Sequence, residues 1–185
     1  MIRRTLLLAL VLVVSCEPAR SQRPLSDPST AKVDARLVGA WSGKIDQRAV
    51  FLHFSAHKDG QMDVVLVGED DNDGAGVLHY QGHETLADGA IYLNLRQKTF
   101  TDSYAEKFTL GADWIFAKVE LSKDGKLTIA WMDEKPVRDA IAAGTLKGND
   151  RTIDDEPAKI LAFIKGADAK KLWSPLAASF RRVKP

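Results

Sequence analysis

Imidazole side chains bind metal ions in many proteins, so His53, His79 and His83 are the first candidates for chemistry. His79 and His83 fall on a segment with strand character, which places them on one face but roughly 13 Å apart at ~3.3 Å per residue. A metal ion needs ligands within about 2.1 Å, so this pair cannot chelate one alone. His53 lies elsewhere in the sequence. These histidines and the nearby Glu84 are therefore predicted to be solvated or hydrogen-bonded, and no metal site is expected.

An acidic run offers a second kind of ion chemistry. Glu69, Asp71, Asp73 and Gly74 are similar to the first half of a calcium-binding loop. The closing position, where a bidentate glutamate belongs, is occupied by Tyr80. The run is therefore predicted to be a solvated hairpin loop.

Common motifs for catalysis and for phosphate binding are missing from the sequence. It contains no G-x-S-x-G, no H-E-x-x-H and no phosphate-binding loop. No spacing of its acidic residues indicates a general acid and base pair. We therefore expect a protein without a catalytic centre and without a cofactor.

The single cysteine, Cys16, stands where export chemistry would use it. Arg3 and Arg4 precede an apolar run over residues 5–14, which is too short to span a bilayer and is typical of a signal peptide. The run ends in Val-Val-Ser-Cys, which resembles the lipobox of bacterial lipoproteins. The resemblance implies a signal peptide over residues 1–15 and a lipid on the Cys16 thiol. A plain secretory signal with an incidental cysteine is the alternative.

The residues after Cys16 predict an address and a linker. Glu17 follows the cysteine, and by resemblance to lipoprotein sorting rules this favours the periplasmic face of the bacterial outer membrane. The general secretory route is favoured over the twin-arginine route. Residues 16–35 include Pro18, Pro24 and Pro28 and few bulky apolar side chains. This composition predicts a flexible tether with a reach of about 25 Å.

Length and charge limit the remaining sequence to one domain over residues 36–185. The full chain has 185 residues, and its 26 basic and 25 acidic residues give a formal net charge of +1. Affinity for nucleic acid depends largely on clustered cations, so this balance argues against a nucleic-acid partner.

Short apolar runs separated by Asp-Gly turns predict an antiparallel meander. The predicted strands cover residues 37–45, 49–55, 62–67, 76–83, 91–96, 113–121, 127–132 and 178–183. Two helices are predicted before the last strand, one over residues 134–143 and one from Asp154 or Asp155 to Gly166. The expected fold is mainly β, an antiparallel eight-stranded up-and-down barrel with two short helices inserted before the last strand.

Alternation along the strands predicts which side chains face the barrel interior. The inward set, which we take as the candidate ligand lining, is Ile91, Leu93, Leu95, Ile115, Val119, Ile129 and Trp131. The apolar residues around Phe51 and Val65 occupy both faces of their strands, so a second cover is expected there.

The segment Leu-Val-Gly-Ala-Trp-Ser-Gly at residues 37–43 resembles the opening G-x-W strand of the lipocalin-like, or calycin, barrels. The resemblance extends over residues 37–183, and the last part of the chain is also similar to bacterial lipoproteins of this shape. It implies that Trp41 closes one end of the barrel under a late basic residue, either Arg181 or Arg182. A guanidinium over an indole ring contributes about 0.5–2 kcal/mol.

Two functions are compatible with the sequence. The first is a non-catalytic lipoprotein, anchored in the outer membrane and facing the periplasm, whose barrel holds a small apolar or amphipathic molecule. The second is an envelope protein-binding module, an inhibitor, immunity or assembly protein, with a solid barrel. Its contact surfaces would be the loops at residues 69–76 and 97–111.

Overall fold

The computed structural model describes residues 18–45, 47–69, 75–100, 108–166, 171–175 and 179–183. Its strands are β1 (Arg20–Ser21), β2 (Gly39–Ile45), β3 (Arg48–Ala56), β4 (Gln61–Glu69), β5 (Ala75–Ala87), β6 (Ala90–Phe100), β7 (Phe108–Leu110), β8 (Trp114–Leu121), β9 (Lys126–Met132), β10 (Gly148–Asn149), β11 (Thr152–Ile153), β12 (Trp173–Pro175) and β13 (Phe180–Arg182). The α-helices are α1 (Glu134–Ala142) and α2 (Pro157–Ile164), and Pro28–Thr30 forms a 3-10 turn. Cys16 and the predicted signal peptide lie outside the described residues.

Eight strands close into an antiparallel barrel in the order β2, β3, β4, β5, β6, β8, β9 and β13. The last strand joins the two ends of the sheet. Arg182 pairs with Trp41 on β2, and Phe180 pairs with Leu127 on β9. The predicted fold is therefore confirmed, including the two helices that precede the closing strand.

The β5–β6 hairpin shows why the Asp-Gly signals locate the turns. Asp88 and Gly89 both adopt positive φ, at 51° and 77°. This combination is the two-residue turn whose twist matches that of antiparallel strands, and glycine adopts it at little steric cost. The strands on either side are longer than predicted. β6 continues to Phe100 and pairs with β7, within a stretch expected to be mainly loop.

Two apolar cores lie on opposite sides of the barrel wall. The first fills the interior and includes Trp41, Phe54, Leu93 and Phe180. The second lies outside, where β6, β8 and β9 face the helices, and includes Phe116 and other buried residues. Its other main members are Tyr92, Met132, Val137, Leu146, Ile153, Ile160, Ile164 and Leu172.

Residues 18–35 differ from the flexible tether that their composition predicts. β1 pairs with β8 and with β11, and Ala19 and Leu25 are almost fully buried in the outer core. The few apolar side chains of this segment find partners on the barrel wall. A composition argument counts only what a segment can bury by itself, so it misses surface that a distant strand supplies. We call this packed segment, residues 18–37, the strap.

Candidate ligand-binding site

The seven side chains predicted to line a ligand all belong to the interior core. Five are buried, and Ile115 and Trp131 are partly buried against them. The five buried ones are Ile91, Leu93, Leu95, Val119 and Ile129.

The space that these side chains leave in the barrel is small. Leu93, Leu95, Ile129 and Trp131 border a cavity of about 10 Å³, together with side chains from β3, β4, β5 and β8. That volume is close to the minimum for one water molecule. The interior is therefore packed by the residues expected to hold a ligand, as is common in eight-stranded barrels.

One end of the barrel is closed around Trp41. The indole Nε1–H of Trp41 donates to the carbonyl oxygen of Leu37 at 2.8 Å. The guanidinium of Arg182 lies 4.7 Å from the Trp41 ring centroid and donates to the carbonyl oxygens of Val38, at 2.7 Å, and Arg36. Of the two candidate arginines, Arg182 thus lies over the ring.

The alternating side-chain directions along β13 and a nearby glycine explain why Arg182, and not Arg181, covers the Trp41 ring. Phe180 is fully buried in the interior core, so Arg181 points to the outer face and Arg182 back towards Trp41. Gly39 has φ of 120°, and a Cβ there would lie 3.0 Å from Arg182 Nη1. The glycine of the G-x-W motif therefore leaves room for the guanidinium.

Asn94 fastens the strap to the outer wall of the barrel. Its side chain is fully buried and accepts the backbone N–H of Leu25 at 2.6 Å. It also donates to Thr85 Oγ1 at 2.8 Å and to the carbonyl oxygen of His83 at 3.2 Å. His83 Nε2 lies 3.1 Å from the carbonyl oxygen of Ser26. His83 is therefore part of the strap contact.

Glu84 is a buried carboxyl beside the strap. Its side chain accepts the backbone N–H of Asp34 at 2.9 Å, and the residue is 8% exposed. Burial raises the pKa of Glu84 to about 7, against the opposing effects of this hydrogen bond and of Arg36.

A charged cluster lies on the outer wall of β4, β5 and β6. Asp63 accepts from Lys98 Nζ at 2.7 Å and lies 3.1 Å from His57 Nε2 and 3.6 Å from His79 Nε2. Burial opposes ionisation of Asp63, but Lys98 and His57 outweigh it and hold the pKa of Asp63 below its ordinary value. Burial, with help from Lys98, lowers the pKa of His79. His79 thus lies beside the ion pair of Asp63 and Lys98.

An open groove lies between α1 and α2. Its volume is about 920 Å³, within the range of about 300–1,000 Å³ typical of ligand sites. A second hollow, beside Tyr92 and Trp173, measures about 290 Å³. The apolar side chains of the groove come from both helices and from the segments that follow them. They are Pro136, Ala140, Leu146, Ala162, Phe163 and Leu172.

Charged side chains border this groove. Lys135 from α1, Lys159 from α2 and Lys171 all line it, as do Asp133 and Asp139. Asp133 caps α1, because its carboxylate accepts the backbone N–H of Lys135 at 2.9 Å, and it also accepts from Ser174 Oγ at 2.8 Å. The groove therefore combines an apolar floor with a rim of three lysines and two aspartates.

The sequence predicts both helices but not the groove between them. The stripe of Ile160 and Ile164 identifies the face of α2 that packs on the barrel, and both are buried. Ala162 and Phe163 lie on the other side and line the groove. No local pattern indicates how far apart two helices will lie, so only the capping signal at Asp133 pointed to this region.

Other kinds of site receive no support from the described residues. Within those ranges, no group of three or more His, Cys, Asp or Glu side chains is arranged to hold a metal ion. No helix in that part of the chain has the length and apolarity needed to cross a bilayer. Most of the acidic loop after Glu69 lies outside the described residues.

The fold and the groove together define a class of protein: an eight-stranded antiparallel β-barrel with helices on its outer wall, compatible with a lipocalin-like fold. Comparison of the chain with protein-family models, with curated proteins and with solved structures finds no match. The site is therefore interpreted from its own chemistry.

Proposed function

We propose that this protein is a lipocalin-like bacterial lipoprotein, anchored through Cys16 in the outer membrane and facing the periplasm. It binds a small apolar or amphipathic molecule and performs no catalysis. The ligand site is the groove between α1 and α2, and the barrel interior is the scaffold that holds both helices in place.

One observation carries this assignment. The groove offers about 920 Å³ bordered by both apolar and charged side chains, whereas the cavity inside the barrel offers about 10 Å³. Binding a drug-sized molecule requires a concave site of several hundred Å³. The groove meets this requirement without repacking, and the interior does not.

Displacement of a fluorescent fatty acid tests the site. Ala162 is exposed in the groove, so Ala162→Trp should fill it and weaken binding by about tenfold or more. Ala142→Trp makes the same change on an exposed part of α1 outside the groove lining and should leave binding unchanged. Equal binding by both variants, or no binding by the unmodified chain, would contradict the groove assignment.

The lipid anchor has its own test. In a bacterial host, the chain should incorporate radiolabelled palmitate and fractionate with the outer membrane. Cys16→Ser should remove the label and release the protein in soluble form. Labelling that survives the substitution would end the lipoprotein proposal.

A second candidate function, an envelope protein-binding module, is favoured by the outer wall opposite the helices. Phe51, Val67 and Val77 form one cross-strand row there, and Phe51 and Val77 are 52% and 59% exposed. Exposed contiguous apolar surface often marks a protein interface.

A photo-cross-linker at Val77 would test this surface in cells. Leu86, which is 73% exposed, provides the control position on another part of β5. A discrete adduct from position 77 alone would support the module. Adducts that are the same at both positions would count against it.

A further inference from the structure

The strap fixes the point at which the chain leaves the barrel. Pro18 forms a bridge with Asp133, and the backbone N–H of Ala19 donates to the carbonyl oxygen of Met132 at 2.9 Å. Ala19 and Ser21 are fully buried. Asp133 also lines the groove. The N-terminal connection is thus attached to the protein beside the groove.

This attachment leaves little chain between the groove and the proposed anchor. Cys16 is two residues before Pro18, and two residues span at most about 7 Å. Relying on the lipidation proposed above, the acyl chains would enter the bilayer within that reach of the bridge at Asp133. The predicted tether of about 25 Å would have allowed any orientation, whereas this connection holds the groove side near the membrane.

The rim of the groove suits the surface of an anionic bilayer. Lys135 pairs with Asp139 at 2.7 Å, but the two side chains are 77% and 64% exposed. Such pairs contribute little, so an ammonium group can exchange its partner for a lipid phosphate. Asp133, by contrast, already accepts from Lys135 N–H and Ser174 Oγ. Lys159 pairs with the buried Asp155 at 2.9 Å. Three ammonium groups and two carboxylates line the groove, so its lining has a positive balance of one.

We propose that the α1–α2 groove lies against the bilayer and takes an anionic phospholipid from it, with an acyl chain on the apolar floor and the phosphate among the rim lysines. The opposite wall of the barrel faces away from the membrane. β3 lies four strands from β8 in a ring of eight, so its outer face marks that far side.

Site-specific quenching in vesicles tests the orientation. The proposed thioether blocks Cys16, the single cysteine, so a second cysteine can be labelled selectively. Ala162→Cys places a fluorophore in the groove, and His53→Cys places one on the exposed face of β3. In phosphatidylglycerol vesicles that carry a nitroxide on the headgroup, the label at position 162 should lose its fluorescence and the label at 53 should keep it. Equal quenching, or quenching at 53 alone, would overturn the proposal.

A second experiment varies the charge of the lipid headgroup. The full chain with Cys16→Ser should bind phosphatidylglycerol vesicles about fivefold more tightly than phosphatidylcholine vesicles, and the pair Lys135→Gln and Lys159→Gln should abolish the difference. Equal affinity for the two lipids overturns the anionic claim. If vesicles fail but the fatty acid still binds in solution, the groove function stands and only the membrane inference fails. A Cys16→Ser chain that binds lipid when the acylated chain does not would instead assign the groove to the protein's own acyl chain.

Discussion

Arg182, on the last strand of the barrel, lies with its guanidinium 4.7 Å from the ring of Trp41 on the first strand of the barrel. The two residues are also register partners across β13 and β2. Their contact therefore stabilises the closure of the barrel as well as its end. It joins β2 and β13, which are the two barrel strands most distant in sequence.

Arg182→Ala should lower the free energy of unfolding by about 1–2 kcal/mol, because it removes the cation–π contact and the hydrogen bonds to the carbonyl oxygens of Arg36 and Val38. Arg181→Ala, which changes the neighbouring residue on the outer face, should cost less than about 0.5 kcal/mol. Urea denaturation followed by circular dichroism measures both. Equal losses would show that Arg182 has no special role.

Glu84→Gln should remove the loss of stability that ionisation of Glu84 causes as the pH rises. Burial holds the folded pKa of Glu84 near 7, above the ordinary value of 4.5. Its contribution to stability is therefore fully present below pH 4.5 and is lost as the pH rises to about 7, by about 3 kcal/mol at most. The glutamine keeps an acceptor for Asp34 N–H without the charge. The variant should thus be more stable than the parent near pH 8 and similar to it near pH 4.

Thermal melts across this range test the Glu84 prediction as a difference between two proteins. The two proteins must be compared because His83 also changes stability with pH. Burial lowers the pKa of His83, so its contribution to stability is lost as the pH falls, which is opposite to the contribution of Glu84. Glu120→Gln, a change at an exposed carboxylate, is the control. A Glu84→Gln curve parallel to that of the parent would show that Glu84 ionises as freely in the folded protein as in the unfolded chain.

Asn94→Ala should release the strap. The substitution leaves the buried N–H of Leu25 without its acceptor and removes two further hydrogen bonds, at a cost of about 2–3 kcal/mol. Hydrogen exchange should accelerate in residues 18–34 before it does so in the barrel strands. Asn149→Ala, at an exposed asparagine, should change neither measurement. If hydrogen exchange in the strap is unchanged in Asn94→Ala, Asn94 does not fasten the strap to the barrel.

Leu93→Ala should destabilise the barrel by about 2–5 kcal/mol, because it enlarges the small interior cavity that Leu93 borders. Leu86→Ala, on the neighbouring strand but 73% exposed, should cost little. Chemical denaturation compares them. A cost for Leu93→Ala below about 1 kcal/mol would mean that the interior is looser than its packing indicates.

The sequence alone determined the eight barrel strands, apart from their exact ends, the Asp-Gly turns between them and the start of α1. These features depend on local physics. Alternation of apolar residues sets the inward face, Asp-Gly pairs allow positive φ, and Asp133 caps α1 by accepting the backbone N–H of Lys135. The same alternation identified the interior side chains correctly, since every predicted lining residue lies in that core.

Tertiary structure decided how these elements use their surfaces. Leu25 is buried in the outer core, where Asn94, distant in sequence, accepts its N–H. Arg182 rather than Arg181 covers Trp41 because β13 pairs with β2 in one register. The interior volume and the width of the groove depend on how side chains from many strands interdigitate and on where two helices settle. Packing is a sum over non-local contacts, so no local pattern of residues specifies which hollow is filled and which stays open.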